Sequence, residues 1–294
     1  MRLPPFELSE PATIREALDV VARHEGECRL IAGGTALVPM LRLGLARPER
    51  LVSLHRIPGL AEIRTDGNDL VIGAMATHAA IHRHPLVVER WPLLAEAAGR
   101  VASPSIRASG TLGGNLCYAE SASDVAPALL CLDAEIIATG PRGERGIALA
   151  EFFRGFYETA LGPGEILTSV RVPGARQAAK SAYVKFCPRS AEDRALIGVA
   201  VRLVVSNDGR RCADVRIALA AAAPTPIRAH QAEAELRGQS VTDAAIAAAA
   251  EAAATEGDPL SDLMGSADYR RHMIRVWVRR VVTSLRDGTP LPNA

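Results

Sequence analysis

Two glycine pairs are the residues here most able to do chemistry. One lies in Ile31–Pro39, IAGGTALVP, and the other in Thr111–Leu116, TLGGNL. Adjacent glycines let the backbone enter left-handed conformations and leave no Cβ in the way of a ligand. Backbone N–H groups exposed in such a turn, with a threonine hydroxyl nearby, suit phosphate oxygens. Two such loops imply a ligand with a phosphate-rich middle, held from two sides. Each loop alone is equally compatible with an ordinary glycine-rich turn.

Spacing removes the familiar nucleotide loops. Neither pair extends to G-x-G-x-x-G, and Ser53, Leu54 and His55 occupy the place where a Rossmann acid would stand. Neither is followed by the Gly-Lys-Ser/Thr of a phosphate-binding P-loop. Other candidates carry less. His78 and His82 stand four apart on a predicted helix with His84 nearby, a spacing that can hold zinc but lacks an acidic or cysteine partner. Cys28, Cys117, Cys131, Cys187 and Cys212 are scattered without a C-x-x-C pair, so they read as isolated buried or partly buried thiols rather than an iron–sulfur or zinc site. Arg270, Arg271, Arg275, Arg279 and Arg280 read as a solvated or partner-facing surface of the last helix.

The elements that must position these residues follow from periodicity and turn chemistry. The pattern predicts an extended entry at Phe6–Glu10, a helix over Ile14–His24, a strand at Cys28–Ala32 running into the first glycine pair, a helix at Val38–Leu45 and a strand at Arg50–Ser53. A hairpin joins Ala61–Arg64 to Leu70–Gly73 through Asp66–Gly67–Asn68. Helices follow at His78–Arg83 and Trp91–Val101. Ala102–Gly110 is expected to be a loop leading into the second glycine turn. Then come a helix at Asp124–Leu132, a strand at Ala134–Thr139, a short helix at Ala150–Phe156 and a strand at Ile166–Val172. Beyond a linker at Gly174–Lys180, strands are predicted at Ser181–Phe186, Ala195–Val205 and Cys212–Ala221, with Asn207–Asp208–Gly209 turning the last two. Helices at Ala229–Leu236, Asp243–Thr255 and Ala267–Leu285 complete the chain. Strands followed by helices argue for a small α+β unit in the second half.

The chain has 294 residues, 48% hydrophobic and 23% charged with net charge +1, which suits a globular protein of about two domains and gives no footprint for nucleic acid. No apolar run is long enough for a membrane span. The opening MRLPPFELSEPAT lacks an export-signal pattern, so a cytoplasmic location is expected.

The segments around both glycine pairs carry a resemblance. AGGTALVPMLRLGLARPERLVSL resembles the first FAD loop of the flavin (medium) subunit of molybdenum hydroxylases, the carbon monoxide dehydrogenase and xanthine dehydrogenase family. ASGTLGGNLCYAESASDVAPALLCLDAEI is similar to its second loop, FFRGFYETALGPGEILTSVRVP to the segment after it, VKFCPRSAEDRALIGVAV to its lysine-bearing strand and DYRRHMIRVWVRR to its closing helix. The resemblance spans nearly the whole chain, in order.

The resemblance implies an α+β fold. Its FAD-binding domain, of the vanillyl-alcohol-oxidase-like type, would span 1–175 in two subdomains (about 1–57 and 58–175), with a small α+β C-terminal domain at 176–288. It implies that Leu30, Ile31, Ala32, Gly33, Gly34, Thr35, Ala36 and Leu37 wrap the FAD pyrophosphate. Thr111, Gly114 and Asn115 would hold the flavin and ribityl end. Asp124 would accept from a ligand hydroxyl, or alternatively cap its helix. Leu161 would pack on the ring system, or simply in the core. Lys185 would stabilise the reduced flavin, or be a solvated strand charge. The implied partners are a small subunit with [2Fe–2S] clusters and a large molybdopterin subunit, with NAD or another acceptor. A stand-alone FAD oxidoreductase and a non-catalytic assembly factor remain as alternatives. Two departures stand out. Val101 occupies the place of a flavin-covering phenylalanine of animal xanthine dehydrogenases, and no inserted cysteine loop for a [4Fe–4S] cluster is present.

Overall fold

The computed structural model describes residues 3–174, 179–206 and 211–291. Most of the expected 174–180 linker and the whole 207–209 turn lie outside the described residues.

The chain opens with β1 (Glu7–Ser9), α1 (Ile14–Arg23), β2 (Cys28–Ile31), α2 (Leu37–Leu43) and β3 (Arg50–Ser53). The strands form a parallel sheet in the order β1-β3-β2. Parallel neighbours need a crossover, and α2 supplies the one between β2 and β3. Thr13 caps α1 by accepting the Glu16 N–H at 3.1 Å. A small core of Ala17, Val52, Leu54, Ile57, Leu60, Met75 and Ile166 joins this layer to the next.

The middle of the chain builds a five-stranded antiparallel sheet, order β4-β5-β10-β6-β7, with a helical cap. It runs β4 (Ile63–Asp66), β5 (Asp69–Gly73), α3 (His78–Arg83), α4 (Pro85–Arg90), α5 (Pro92–Gly99), α6 (Pro104–Ser109), α7 (Leu112–Tyr118), α8 (Val125–Cys131), β6 (Glu135–Gly140), β7 (Gly143–Ala148), α9 (Leu149–Phe152), β8 (Phe153–Gly155), β9 (Glu158–Thr159) and β10 (Ile166–Val172). Trp91, Leu93, Leu94, Leu112, Leu116 and Leu129 fill the space between the helices and the sheet residues Leu70, Ile72 and Val170.

Three expectations for this stretch need correction. The predicted loop at 102–110 contains α6, with Ser103 accepting the Ile106 N–H and Pro104 at the first helical position. Ser-Pro suits a turn, but the same pair is also an N-cap followed by N1. The second glycine turn is the first turn of α7, capped by Thr111. The helix at His78–Arg83 ends as expected, and Pro85 after it opens a further helix, α4, that the spacing does not predict. The predicted 150–156 helix stops at Phe152 and continues as β8, and β7 went unpredicted.

The last third holds β11 (Lys180–Phe186), β12 (Ile197–Val205), β13 (Cys212–Ala220), β14 (Ile227–Arg228), α10 (His230–Leu236), α11 (Asp243–Glu256) and α12 (Ala267–Asp287). Its antiparallel sheet, order β11-β12-β13-β14, is buried on both faces. Side chains alternate along a strand. Ala182, Val184, Val199, Val201, Ile217 and Leu219 meet α10–α12. Tyr183, Ala200 and Ala218 belong to the middle layer's core. The small residues let α8 approach closely, and the Cys131 thiol donates to the Ala200 carbonyl at 3.4 Å. The structure mixes helices and strands in an α+β fold, as expected, with a parallel sheet only in its first layer.

Arg270 is not a solvated charge. It is 4% exposed, donates to the Leu196 carbonyl at 2.5 Å and pairs with Asp262 at 2.7 Å. Among the cysteines, Cys117 is exposed rather than partly buried. No helix among the described residues is long and apolar enough to cross a membrane.

Candidate functional site: two glycine pairs and a buried ion pair

Between β2 and α2 the chain turns through Ala32–Ala36. Gly34 sits at φ +70°, where glycine is the residue that pays no steric penalty. Gly33 is constrained by proximity instead: a Cβ there would stand 2.0 Å from the Ser109 carbonyl oxygen. Ala36 stands at the N-cap of α2 without a side-chain cap bond. The N–H groups of Gly33, Gly34, Thr35 and Ala36 donate to no protein acceptor among the described residues. Leu30, Ile31, Ala32 and Leu37 flank them, half-buried. Successive open donors in a partly exposed turn form an anion cradle.

The second pair works differently. The Gly113 N–H donates to the Ala74 carbonyl at 2.8 Å, and the Gly114 N–H to the Thr111 hydroxyl at 3.1 Å. These glycines serve close packing. A Cβ on Gly113 would lie 2.7 Å from that of Ala74, and one on Gly114 would lie 2.9 Å from Thr111 Oγ1. The two pairs nonetheless face each other. The Gly114 Cβ position is 3.6 Å from the Ala32 methyl, and that of Gly110 is 3.4 Å from Thr35 Oγ1. The same Gly110 position is 3.3 Å from the ring of His78, whose Nδ1 is buried without a partner. Burial, followed by the charge of Arg107, pushes this imidazole down to about 4, so it is neutral near pH 7.

From α7 the contacts continue to a buried ion pair. Ser123 Oγ donates to Asn115 Oδ1 at 2.6 Å and accepts the Ala126 N–H. The neighbouring Asp124 stands at the N-cap position of α8 with helical backbone angles and makes no cap bond. Capping is thus excluded as its structural role. Instead the Lys185 ammonium donates to Asp124 Oδ2 at 3.0 Å, and the Tyr183 hydroxyl donates to Asp124 Oδ1 at 2.7 Å. Lys185 also donates to the Arg100 carbonyl at 3.0 Å. The Lys185 side chain is 3% exposed, which removes the solvated-charge reading. Burial pushes the Asp124 carboxyl up to about 6, while Lys185 and Tyr183 pull it back. Burial and the adjacent carboxylate hold the Tyr183 phenol well above its ordinary range. Glu96 accepts the Tyr183 N–H at 3.0 Å, and burial raises its carboxyl too.

Leu161 follows β9 and packs, partly buried, against the central core. Val101 lies in that core, next in the chain to the Arg100 carbonyl that holds Lys185. Tyr183, Glu96, Arg100, Ser123 and His78 were not singled out as site residues from sequence, His78 having been weighed only for zinc. Tyr183 was within reach: it sits two residues before Lys185, hence on the same strand face. His82 turns away from His78 to bond the Ala95 carbonyl at 2.9 Å.

Comparison with known proteins decides the family. The description "FAD binding domain in molybdopterin dehydrogenase" matches residues 4–175, and "CO dehydrogenase flavoprotein C-terminal domain" matches residues 182–285. This chain belongs to the flavoprotein subunits of the molybdopterin dehydrogenases. It is 36% identical to the carbon monoxide dehydrogenase medium chain of Hydrogenophaga pseudoflava, over 96% of this chain and 97% of that one. It is 35% identical to subunit alpha of the 6-hydroxypseudooxynicotine dehydrogenase complex of Paenarthrobacter nicotinovorans, over 96% of this chain and 95% of that one. A solved structure of the Hydrogenophaga pseudoflava carbon monoxide dehydrogenase, in a form lacking the Mo-pyranopterin moiety of the molybdenum cofactor, superposes with TM-score 0.94, covering 99% of this chain and 100% of the other at 36% identity. As a member of this family the chain is an oxidoreductase flavoprotein subunit, and its cofactor is FAD. The donor set fits that cofactor: the unpartnered N–H groups of the first loop match a pyrophosphate, and the buried cation–carboxylate group matches a ring that gains charge on reduction.

Proposed function

We propose that this protein is the FAD-binding subunit of a molybdenum-containing dehydrogenase or hydroxylase, passing electrons from iron–sulfur clusters on a partner subunit through FAD to NAD or another acceptor. The observation that carries this reading is the line of contacts from the open N–H groups of Gly33–Ala36, through Gly114 and Asn115, to Asp124 and Lys185. One end suits a diphosphate and the other a redox-active ring. FAD, when bound, supplies the electron chemistry, and the protein supplies binding, orientation and electrostatics.

In this proposal residues 30–37 hold the pyrophosphate through backbone donors. Thr111, Gly114 and Asn115 shape the passage to the ring, where the Asn115 amide nitrogen is available as a donor. Leu161 contributes apolar surface. Lys185 places a cation at the ring, positioned by Asp124 and the Arg100 carbonyl. Residues 1–175, as two subdomains of about 1–57 and 58–175, bind the cofactor. Residues 176–288 form the second domain, whose strand β11 brings Lys185 to the site. The partners are a [2Fe–2S] small subunit and a molybdopterin large subunit, in the cytoplasm. The names "medium chain" and "complex subunit" of the relatives support such an assembly.

Purification from the native host tests this. Co-purification of two further chains with iron, molybdenum and FAD is expected, and substrate-reduced complex should pass electrons to an added acceptor. Flavin with no partner chains, and activity of the chain alone on an organic substrate, would favour a stand-alone oxidoreductase. No flavin after reconstitution with excess FAD would leave the assembly-factor reading.

A further inference from the structure

The Asp124–Lys185 pair joins two parts of the fold. Asp124 immediately precedes α8, and Lys185 lies on β11. Each of its polar contacts is defined: Lys185 to Asp124 Oδ2 and the Arg100 carbonyl, Tyr183 to Asp124 Oδ1. The Lys185 and Asp124 side chains are 3% and 7% exposed, so the pair is nearly dry and Asp124 is its more exposed member. With both groups charged the pair is net neutral. The lysine's charge is then cancelled at the place where reduction adds negative charge.

We propose that Asp124 is a proton-accepting positioning residue linked to flavin reduction, its protonation converting the Asp124–Lys185 pair from net neutral to net +1. This rests on the flavin reading above. When two electrons reach the cofactor from a one-electron iron–sulfur donor, one solvent proton adds to an Asp124 carboxylate oxygen. One O–H bond forms, and no bond in the protein breaks. Oxidation returns the proton to solvent. Tyr183 sets the threshold, because its O–H donates to the charged carboxylate and favours that form. The other groups facing Asp124 fit this role. Arg100, just past α5, and Cys187, just past β11, act on Asp124 by charge, whereas Glu96 of α5 reaches Tyr183 and Arg100 instead. The Arg228, Arg216 and Asp133 cluster lies at the opposite end of α8. The carboxyl's upward shift to about 6 puts the change within the ordinary working range.

The test is spectroelectrochemical titration of the full chain reconstituted with FAD, from pH 5 to 9. An extra proton for two electrons adds about 30 mV per pH unit, the two-electron equivalent of a tenfold change. The steeper segment is expected to begin near pH 6 in the wild type. Asp124→Asn should abolish it and raise the potential above pH 7, because its pair stays at +1. Tyr183→Phe should move the start of the segment to higher pH. Bound flavin is measured by absorbance in each case. In the flavin-free chain, Asp124→Asn should also flatten the pH dependence of thermal stability between pH 4 and 6. A flavin-loaded Asp124→Asn chain with the wild-type slope overturns the inference while leaving the cofactor reading intact. If that variant does not fold, an unmoved segment in Tyr183→Phe overturns it equally. A wild-type chain that takes up no FAD overturns both.

Discussion

Gly33 and Ser109 approach so closely that a Cβ on the glycine would stand 2.0 Å from the serine carbonyl oxygen. The first glycine loop is thereby seated against the end of α6 and the entry to α7. Backbone cannot yield as a flexible side chain can. Gly33→Ala should therefore cost at least 1–3 kcal/mol, about the range of core overpacking, and should lower FAD affinity. Gly34→Ala meets mainly the left-handed penalty of about 1–2 kcal/mol, with Val38 Cγ2 3.2 Å from the new atom. Urea unfolding of both variants checks the order. Equal stabilities would show that the loop moves freely off Ser109.

Gly113 offers a contrast with helix propensity. Replacing a helical glycine with alanine ordinarily stabilises by about 1 kcal/mol. Here the new methyl would meet the Ala74 methyl at 2.7 Å and the Ala74 carbonyl at 2.8 Å. Gly113→Ala should destabilise, with a Tm below that of the wild type. A raised Tm would mean that α7 does not sit on the end of β5 as described.

Much of this architecture was legible because local signals and global packing agree. The alternating strand β11 and the amphipathic helix α12 were readable from spacing alone. The second glycine pair misled for a physical reason: glycine marks both a turn and a close helix contact, and only the position of Ala74 distinguishes them. The pairing of Asp124 was likewise hidden. Its sequence position is that of a cap, and its partners Tyr183 and Lys185 lie 59 and 61 residues away. Long-range pairings of this kind leave no periodic trace.

His78 should give the fold an acid-sensitive component. Its imidazole titrates near 4 in the folded chain, against an ordinary 6.5 when unfolded. Below 6.5 the unfolded state binds the extra proton, so stability falls as pH drops from 6.5 to 4 and is fully present above 6.5. A shift of this size corresponds to about 3 kcal/mol. His78→Gln should lose this slope. Taking the difference between wild type and variant at pH 4 and at pH 7 cancels the opposing titration of Asp124. A difference that does not change with pH would place a partner on the imidazole.

Lys185 can be tested without any cofactor. Removing one member of a buried ion pair leaves the other charged and unpaired, at about 3–5 kcal/mol. In Lys185→Met, Asp124 loses its counter-charge and must either stay ionised in a dry site or take up a proton. Its carboxyl then rises above the about 6 that it has with Lys185 present. A group whose folded value is raised binds its proton more tightly in the native state, so stability declines as pH climbs through that window. Lys185→Met should thus be most destabilised at pH 8 and recover much of the loss at pH 5. Urea midpoints at the two values measure the recovery. Equal losses at both would mean that Asp124 finds another cation, for which Arg100, whose charge already acts on this carboxyl, is the candidate.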